Sequence, residues 1–192
     1  MRTFYQYSIP ALWLGWLLYW IIAAISAKPI RRHEGFISRL SHLIPLTLGL
    51  ALLVPRHLPF TLLTARVVPL NAAWFWVGFV LIASGLTIAV AARVWLGGNW
   101  SSVVAVKLEH ELIRSGPYRW VRHPIYTGLL VALLGSVVAQ GEVRGLVALA
   151  LFIVAILRRM ALEERFLEEE FGGAYSRYRR EVPGLVPLPW QR

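Results

Sequence analysis

The sequence predicts an all-α, polytopic integral membrane protein of about five transmembrane helices, closing in a helical hairpin and an amphipathic tail. Three observations predict it. Of the 192 residues, 57% are hydrophobic and only 16% are charged, far from the balance of a soluble domain. Nine Trp and seven Tyr suit a chain with two membrane–water interfaces. Residues 3–27 and 67–92 carry no charge at all. The length suits a single membrane domain, 1–192, with N-terminal helices in 1–96 and a loop, hairpin and tail in 97–192.

Residues 9–27 are long enough to span a bilayer and form the first span. Arg2 before them and Ala-Ile-Ser-Ala after them faintly imitate a cleavable signal, but the apolar part is too long and too rich in Trp. Residues 43–54, with Pro45 inside, make a second span only if Ser41 and His42 join them; a re-entrant piece is the alternative. Residues 72–96 are the third span, ended by Gly97-Gly98-Asn99. Residues 125–139 and 145–157 flank the short turn Gln140-Gly141-Glu142, so they pair as an antiparallel hairpin. Beyond Arg158-Arg159, an apolar face of Leu162, Phe166, Leu167 and Phe171 keeps helical spacing, so the last helix continues past the hydrocarbon to Gly172-Gly173. Tyr175 and Tyr178 follow one turn apart, and Val182-Pro183-Gly184-Leu185-Val186-Pro187 admits no helix.

Charge sets the orientation. With five spans, the first polar loop, the segment from Arg93 to Arg122 and the tail share one side, and they carry 4, 5 and 7 of the 20 Lys and Arg. The positive-inside rule puts that side, with the C-terminus, in the cytoplasm; the membrane is the inner one if the chain is bacterial. The net charge of +10 is thereby a matter of orientation and lipid contact, and nucleic acid is not expected as a partner. Cys is absent, which excludes disulfides and thiol nucleophiles. His33, His42, His57, His110 and His123 make no ligand spacing, so no metal is expected. No nucleophile motif and no phosphate-binding loop is present, which leaves hydrolases and kinases without support.

The polar stretch 114–128 stands beside a bilayer-length apolar run, a placement that membrane proteins reserve for function. A basic anchor with interfacial aromatics explains its arginines and Trp120. It does not explain two X-Pro steps, Gly116-Pro117 and His123-Pro124, on either side of Tyr118. Arg159 and Glu163 lie four apart on one helix at the membrane border. They read as a plain surface ion pair, or as the polar end of a ligand site under a lipid tail.

Taken together, His110-Glu-Leu-Ile-Arg-Ser-Gly-Pro-Tyr118, Arg122-His-Pro-Ile-Tyr126, Glu163-Glu164, Phe171-Gly172, Tyr175, Tyr178 and Val182-Pro183 resemble the isoprenylcysteine carboxyl methyltransferases and their bacterial relatives. Phospholipid N-methyltransferases share part of the pattern. The resemblance covers residues 103–183 and implies S-adenosyl-L-methionine as cofactor. It implies a cofactor pocket of His110, Glu111, Leu112, Ile113, Tyr118, His123, Pro124, Ile125 and Tyr126, with Glu163 on the amino group. Arg159 is implied as the substrate-binding residue, and Arg159, Arg122 and His123 as the group at the reacting atoms. The partners implied are the bilayer and a hydrophobic or lipid-linked acceptor, with a carboxylate such as that of an isoprenylcysteine foremost. An amine acceptor would need a base, for which Glu164 or His123 is the candidate. Val103 departs from the pattern, because the eukaryotic enzymes carry a cofactor-contacting Gln there. Two other readings stay open: an NADPH-dependent sterol-type reductase, similar at His-Pro-x-Tyr, and a non-enzymatic membrane scaffold.

Overall fold

A computed structural model describes residues 2–25, 30–53, 61–100, 105–107 and 111–187. Helices dominate: α1 (Arg2–Ala24), α2 (Phe36–Leu53), α3 (Thr61–Thr64), α4 (Ala72–Leu96), α5 (Pro124–Gln140), α6 (Val143–Phe171) and α7 (Gly173–Glu181). Four of them, α1, α2, α4 and α6, are long and apolar enough to cross a membrane, and α5 is a shorter apolar helix of 17 residues. The chain is an integral membrane protein of the predicted class. A two-stranded antiparallel ribbon, β1 (Ile30–His33) with β2 (Ala105–Lys107), joins the connections that follow α1 and α4. It is too short for a period-two pattern to register in the sequence.

The third predicted span and α4 share the same bounds, Ala72–Leu96. Asn71 caps its start by accepting from the Trp74 N–H at 3.0 Å, and Gly97 ends it with φ +56°. The first span begins earlier than residue 9, at Arg2, and residues 26 and 27 lie outside the described residues. The second span is corrected more strongly. α2 starts at Phe36, seven residues before the predicted apolar run, and residue 54 lies outside the described residues. Its first turns are polar where α6 meets them: Arg158 Nε donates to Ser41 Oγ at 3.1 Å. A polar helix face satisfied by a neighbour does not show up as hydropathy.

α4 and α5 pack backbone to backbone. A Cβ on Gly85 would stand 2.5 Å from the Gly128 carbonyl oxygen, and one on Gly78 would stand 2.6 Å from that of Gly135. The two glycines on each helix are seven residues apart, so one small-residue seam runs along the contact. α1 lies across it, with Trp13 and Trp16 against Ile82, Leu86 and Ala132. Trp13 Nε1 also donates to Ser136 Oγ at 3.1 Å. α2 lies along α6, where Gly49 faces the Phe152 ring. Large apolar side chains that face outward, such as Ile22, Ile37, Val80 and Val154, are what lipid requires.

The hairpin forms as expected. α5 ends at Gln140, Gly141 turns with φ +69°, and α6 begins at Val143. At about 1.5 Å per residue, the 29 residues of α6 extend roughly 43 Å, against a hydrocarbon core of about 30 Å. α6 therefore carries its polar last turns out of the bilayer, up to Gly172 with φ +51°.

The seam yields a stability prediction. Gly85→Leu forces α4 off α5 and costs at least the roughly 1–3 kcal/mol of an overpacked core, read as a lower thermal midpoint in detergent. Gly15→Leu, at a position with nothing within 4 Å, leaves the midpoint close to the parent's.

Candidate active site

The connection between α4 and α5 carries the polar motif, and its shape is set locally. Gly116 takes φ +58°, and any Cβ there would collide with the Trp95 ring, so only glycine fits. Trp95 Nε1 donates to Ser115 Oγ at 3.0 Å. Pro117 starts a 3-10 turn, Gly116–Arg119, that buries Tyr118. Pro124 occupies the first turn of α5, where its missing N–H leaves no vacancy in the helix ladder. Both X-Pro steps thus start helical turns.

The tail closes on this connection. Arg122 N–H donates to the Pro183 carbonyl at 2.8 Å, His123 N–H to that of Gly184 at 3.0 Å, and Thr127 Oγ1 to that of Leu185 at 2.7 Å. These bonds satisfy donors at the start of α5 that a helix cannot satisfy itself. α7 packs Tyr175, Tyr178 and Val182 with Leu112, Leu167 and Phe171. Tyr178 Oη donates to the Tyr118 carbonyl at 2.6 Å, and burial pushes the Tyr178 phenol up to about 12. Burial first, and then the Glu163 charge, also raise the Tyr118 phenol, so both rings stay neutral donors at physiological pH.

Two adjacent acids on α6 meet the two ends of this motif. Glu163 Oε1 accepts from Tyr126 Oη at 2.5 Å and from Arg159 Nε at 3.2 Å, while Arg159 Nε reaches Tyr126 Oη at 2.7 Å. His123 Nδ1 lies 3.7 Å from Glu163 Oε2. Glu164 Oε1 accepts from Arg122 at 2.7 and 3.1 Å and sits 3.2 Å from His123 Nε2. The Arg122 guanidinium also donates to the carbonyls of Arg179 and Val182. Arg159 and Glu163 are about four-fifths buried, unlike a surface pair. The His123 ring, stacked on Tyr126 with centroids 5.6 Å apart, stands between the two carboxylates.

These groups form one end of a cavity of about 1250 Å³. Of the residues implied by sequence, Glu111, Leu112, Ile113, Tyr118, Arg122, His123, Ile125, Tyr126, Arg159 and Glu163 line it. Pro124 is buried behind the wall, and His110, like Val103, lies outside the described residues. Sequence reading missed Asn99, Trp100, Tyr175, Tyr178 and His42, which also line the cavity. Asn99 stood next to two glycines that were read only as a helix end; its Oδ1 accepts the Glu111 N–H at 3.3 Å. The rest of the cavity is an apolar lane between α1, α2, α5 and α6, with Trp13, Leu46, Leu133 and Phe152 among its walls. The lane reaches Gln140 and Arg144 at the hairpin turn. Along α6, Arg144 and Arg159 are about 22 Å apart.

The fold is an integral membrane bundle with a polar head over an apolar lane. Residues 73–174 match the model of the phospholipid methyltransferase family, and the chain belongs to that family. Among curated relatives, the probable protein-S-isoprenylcysteine O-methyltransferase of Oryza sativa subsp. indica is 33% identical over 124 residues, 62% of this chain and 65% of the rice protein. The corresponding protein of Schizosaccharomyces pombe is 33% identical over 117 residues, 58% of this chain and 48% of its own. That of Homo sapiens is 32% identical, over 58% of this chain and 40% of its own. The chain therefore spans between two fifths and two thirds of these relatives. The solved structure of the eukaryotic intramembrane Ras methyltransferase, isoprenylcysteine carboxyl methyltransferase, shares the fold. It gives a TM-score of 0.52 over 88% of this chain and 52% of that one, at 22% identity.

The brace around Glu164 predicts an asymmetry. Arg122→Ala leaves a mostly buried carboxylate without its main partner and frees two tail carbonyls, which lowers stability by about 3 kcal/mol. Glu164→Gln keeps an acceptor for Arg122 and lowers it by less. Thermal unfolding of the two variants in one detergent measures the difference.

Proposed function

We propose that this protein is an S-adenosylmethionine-dependent methyltransferase that methylates the carboxylate of a lipid-linked acceptor, such as a C-terminal isoprenylcysteine. The continuous cavity supports this reading above all, because it joins a charged, hydrogen-bonding head to an apolar lane that runs between membrane-spanning helices. A polar methyl donor and a greasy acceptor must meet where water is excluded, and one compartment lined for both meets that need. The names of the relatives, O-methyltransferases of isoprenylcysteine, point the same way.

The donor set suits S-adenosylmethionine. Glu163 is a carboxylate for its ammonium. Leu112, Ile113, Tyr118, Ile125 and Tyr126 give apolar and aromatic walls with neutral hydroxyls, Glu111 adds a second acid, His110 belongs to the same set, and Pro124 supports the wall from behind. Bound there, the cofactor supplies a methyl group that is already strongly electrophilic.

The chain's own groups then have to align and desolvate. Arg159 orients the acceptor carboxylate, and its existing bonds to Tyr126 and Glu163 keep that pairing from quenching the nucleophile. A carboxylate is ionised at neutral pH, so no base is required. His123 holds the two α6 acids apart, and Arg122 fixes the tail over the head. The aromatic face of α1 and the apolar face of α2 exclude water. The head faces the cytoplasm, where the basic segments lie.

Thermal stability of the detergent-purified protein tests the reading. S-adenosylmethionine and S-adenosylhomocysteine should each raise the midpoint, and NADPH should not. In Glu163→Gln the adenosyl compounds should bind about tenfold more weakly, the scale of a lost charge-assisted bond. A rise with NADPH alone would move the chain to the reductases, and no response to any of the three would leave a scaffold. Arg159→Lys keeps the charge without the planar fork, and should raise the acceptor KM by about tenfold.

A further inference from the structure

α2 lies outside the family match, at residues 36–53, yet it brings His42 to the cavity, with Glu34 buried behind that ring just before the helix starts. It runs antiparallel to α6. Arg144 Nη1 reaches the Leu52 carbonyl at 3.3 Å, Gly49 faces Phe152, and Arg158 binds Ser41 at the other end. That register sets His42 beside Arg159. His42 lines the cavity and is 3% exposed. Its Nε2 stands 3.6 Å from Oε1 of Glu34, which is as deeply buried. Its Nδ1 is enclosed and has no hydrogen-bond partner among the described residues. A buried ring nitrogen left this way in a folded protein asks for a ligand. The Glu34 carboxylate, at ion-pair distance on the Nε2 side, favours the tautomer with its proton on Nε2, which leaves Nδ1 with a lone pair. His42 lines the same cavity as Arg159 and Glu163, so it belongs to the same compartment.

We propose that His42, oriented by Glu34, is a second acceptor-binding residue, whose Nδ1 accepts a hydrogen bond from an amide N–H next to the carboxylate that Arg159 holds. The proposal rests on the carboxylate reading above and deepens it. A carboxylate that ends a peptide carries an amide N–H one carbon away; a fatty acid or an isoprenoid acid does not. Arg159 reads the charge and His42 reads the donor. Together they select a C-terminal amino acid from other lipid carboxylates. A pocket built to bond an N–H rejects the analogue that lacks it, because the buried acceptor is then left unpaired.

Two acceptors test it: N-acetyl-S-farnesylcysteine, and S-farnesyl-3-mercaptopropionate, which keeps the carboxylate and prenyl thioether but has no amide. The parent protein should prefer the first in kcat/KM by about tenfold, the scale of one buried hydrogen bond. His42→Ala should erase that preference through KM for the amide-bearing acceptor. His42→Asn, whose side-chain oxygen stands near the Nδ1 position, should restore part of it. Stabilisation by S-adenosylmethionine, read in parallel, reports that each variant is folded. Equal losses toward both acceptors in a folded His42→Ala would overturn the proposal, as would a parent that shows no preference. Transfer to neither acceptor by a parent that still binds S-adenosylmethionine would overturn the carboxylate reading itself, and the proposal with it.

Discussion

The close contact of α4 with α5 is the constraint on which the rest depends. The two helices meet at Gly78, Gly85, Gly128 and Gly135, where no side chain intervenes. Apolar side chains gain little from one another in lipid that they would not gain from lipid itself, so backbone proximity and shape carry the association. The polar motif is the connection between these two helices. Its two ends, near Trp95 and His123, are therefore held at a fixed spacing before any of its side chains finds a partner. Gly116, pressed against Trp95, and Pro124, seated in the first turn of α5, then leave the connection few other shapes. A bundle packed through larger side chains would leave those ends less defined, and the head of the cavity with them.

Glu163 and Glu164 divide the work by position on α6. Neighbours on a helix point about 100° apart, so one acid turns to the cavity and the other to the tail. Glu163 meets Tyr126 and Arg159; Glu164 meets Arg122 and, at 3.5 Å, Arg179. His123 touches both. The structural brace and the candidate ligand site are thus built from one Glu-Glu pair, and the stability of the first preorganises the second.

Much of the fold was legible because hydropathy and punctuation agreed. Between Asn71 and Gly97 the chain is uncharged up to Arg93, in the last turn, and α4 keeps the bounds 72–96. Gly172 marked the end of α6 for the same reason. α2 was not legible from residue 36 to residue 40, since Ser38 and Arg39 interrupt the apolar pattern there, and Ser41, counted only conditionally, finds its partner on α6. Glu111, Tyr118, His123, Tyr126, Arg159 and Glu163, which line the head, were named through the resemblance, whose pieces are specific only when taken together. His42 was not, because a single histidine in an apolar run has no spacing to reveal it; only the register of α2 against α6 does. The lacing of Pro183, Gly184 and Leu185 was equally silent, since carbonyl groups donate no sequence signal.

That lacing has a consequence for biosynthesis. The ribosome delivers residues 182–185 after helices α1 to α6, yet those later residues complete the start of α5. While they are still inside the exit tunnel, the inserted helices hold an unfinished compartment, with the N–H groups of Arg122 and His123 unclaimed. The pocket is sealed only after the bundle has been threaded into the membrane, so insertion and acquisition of a ligand-ready site are separated in time.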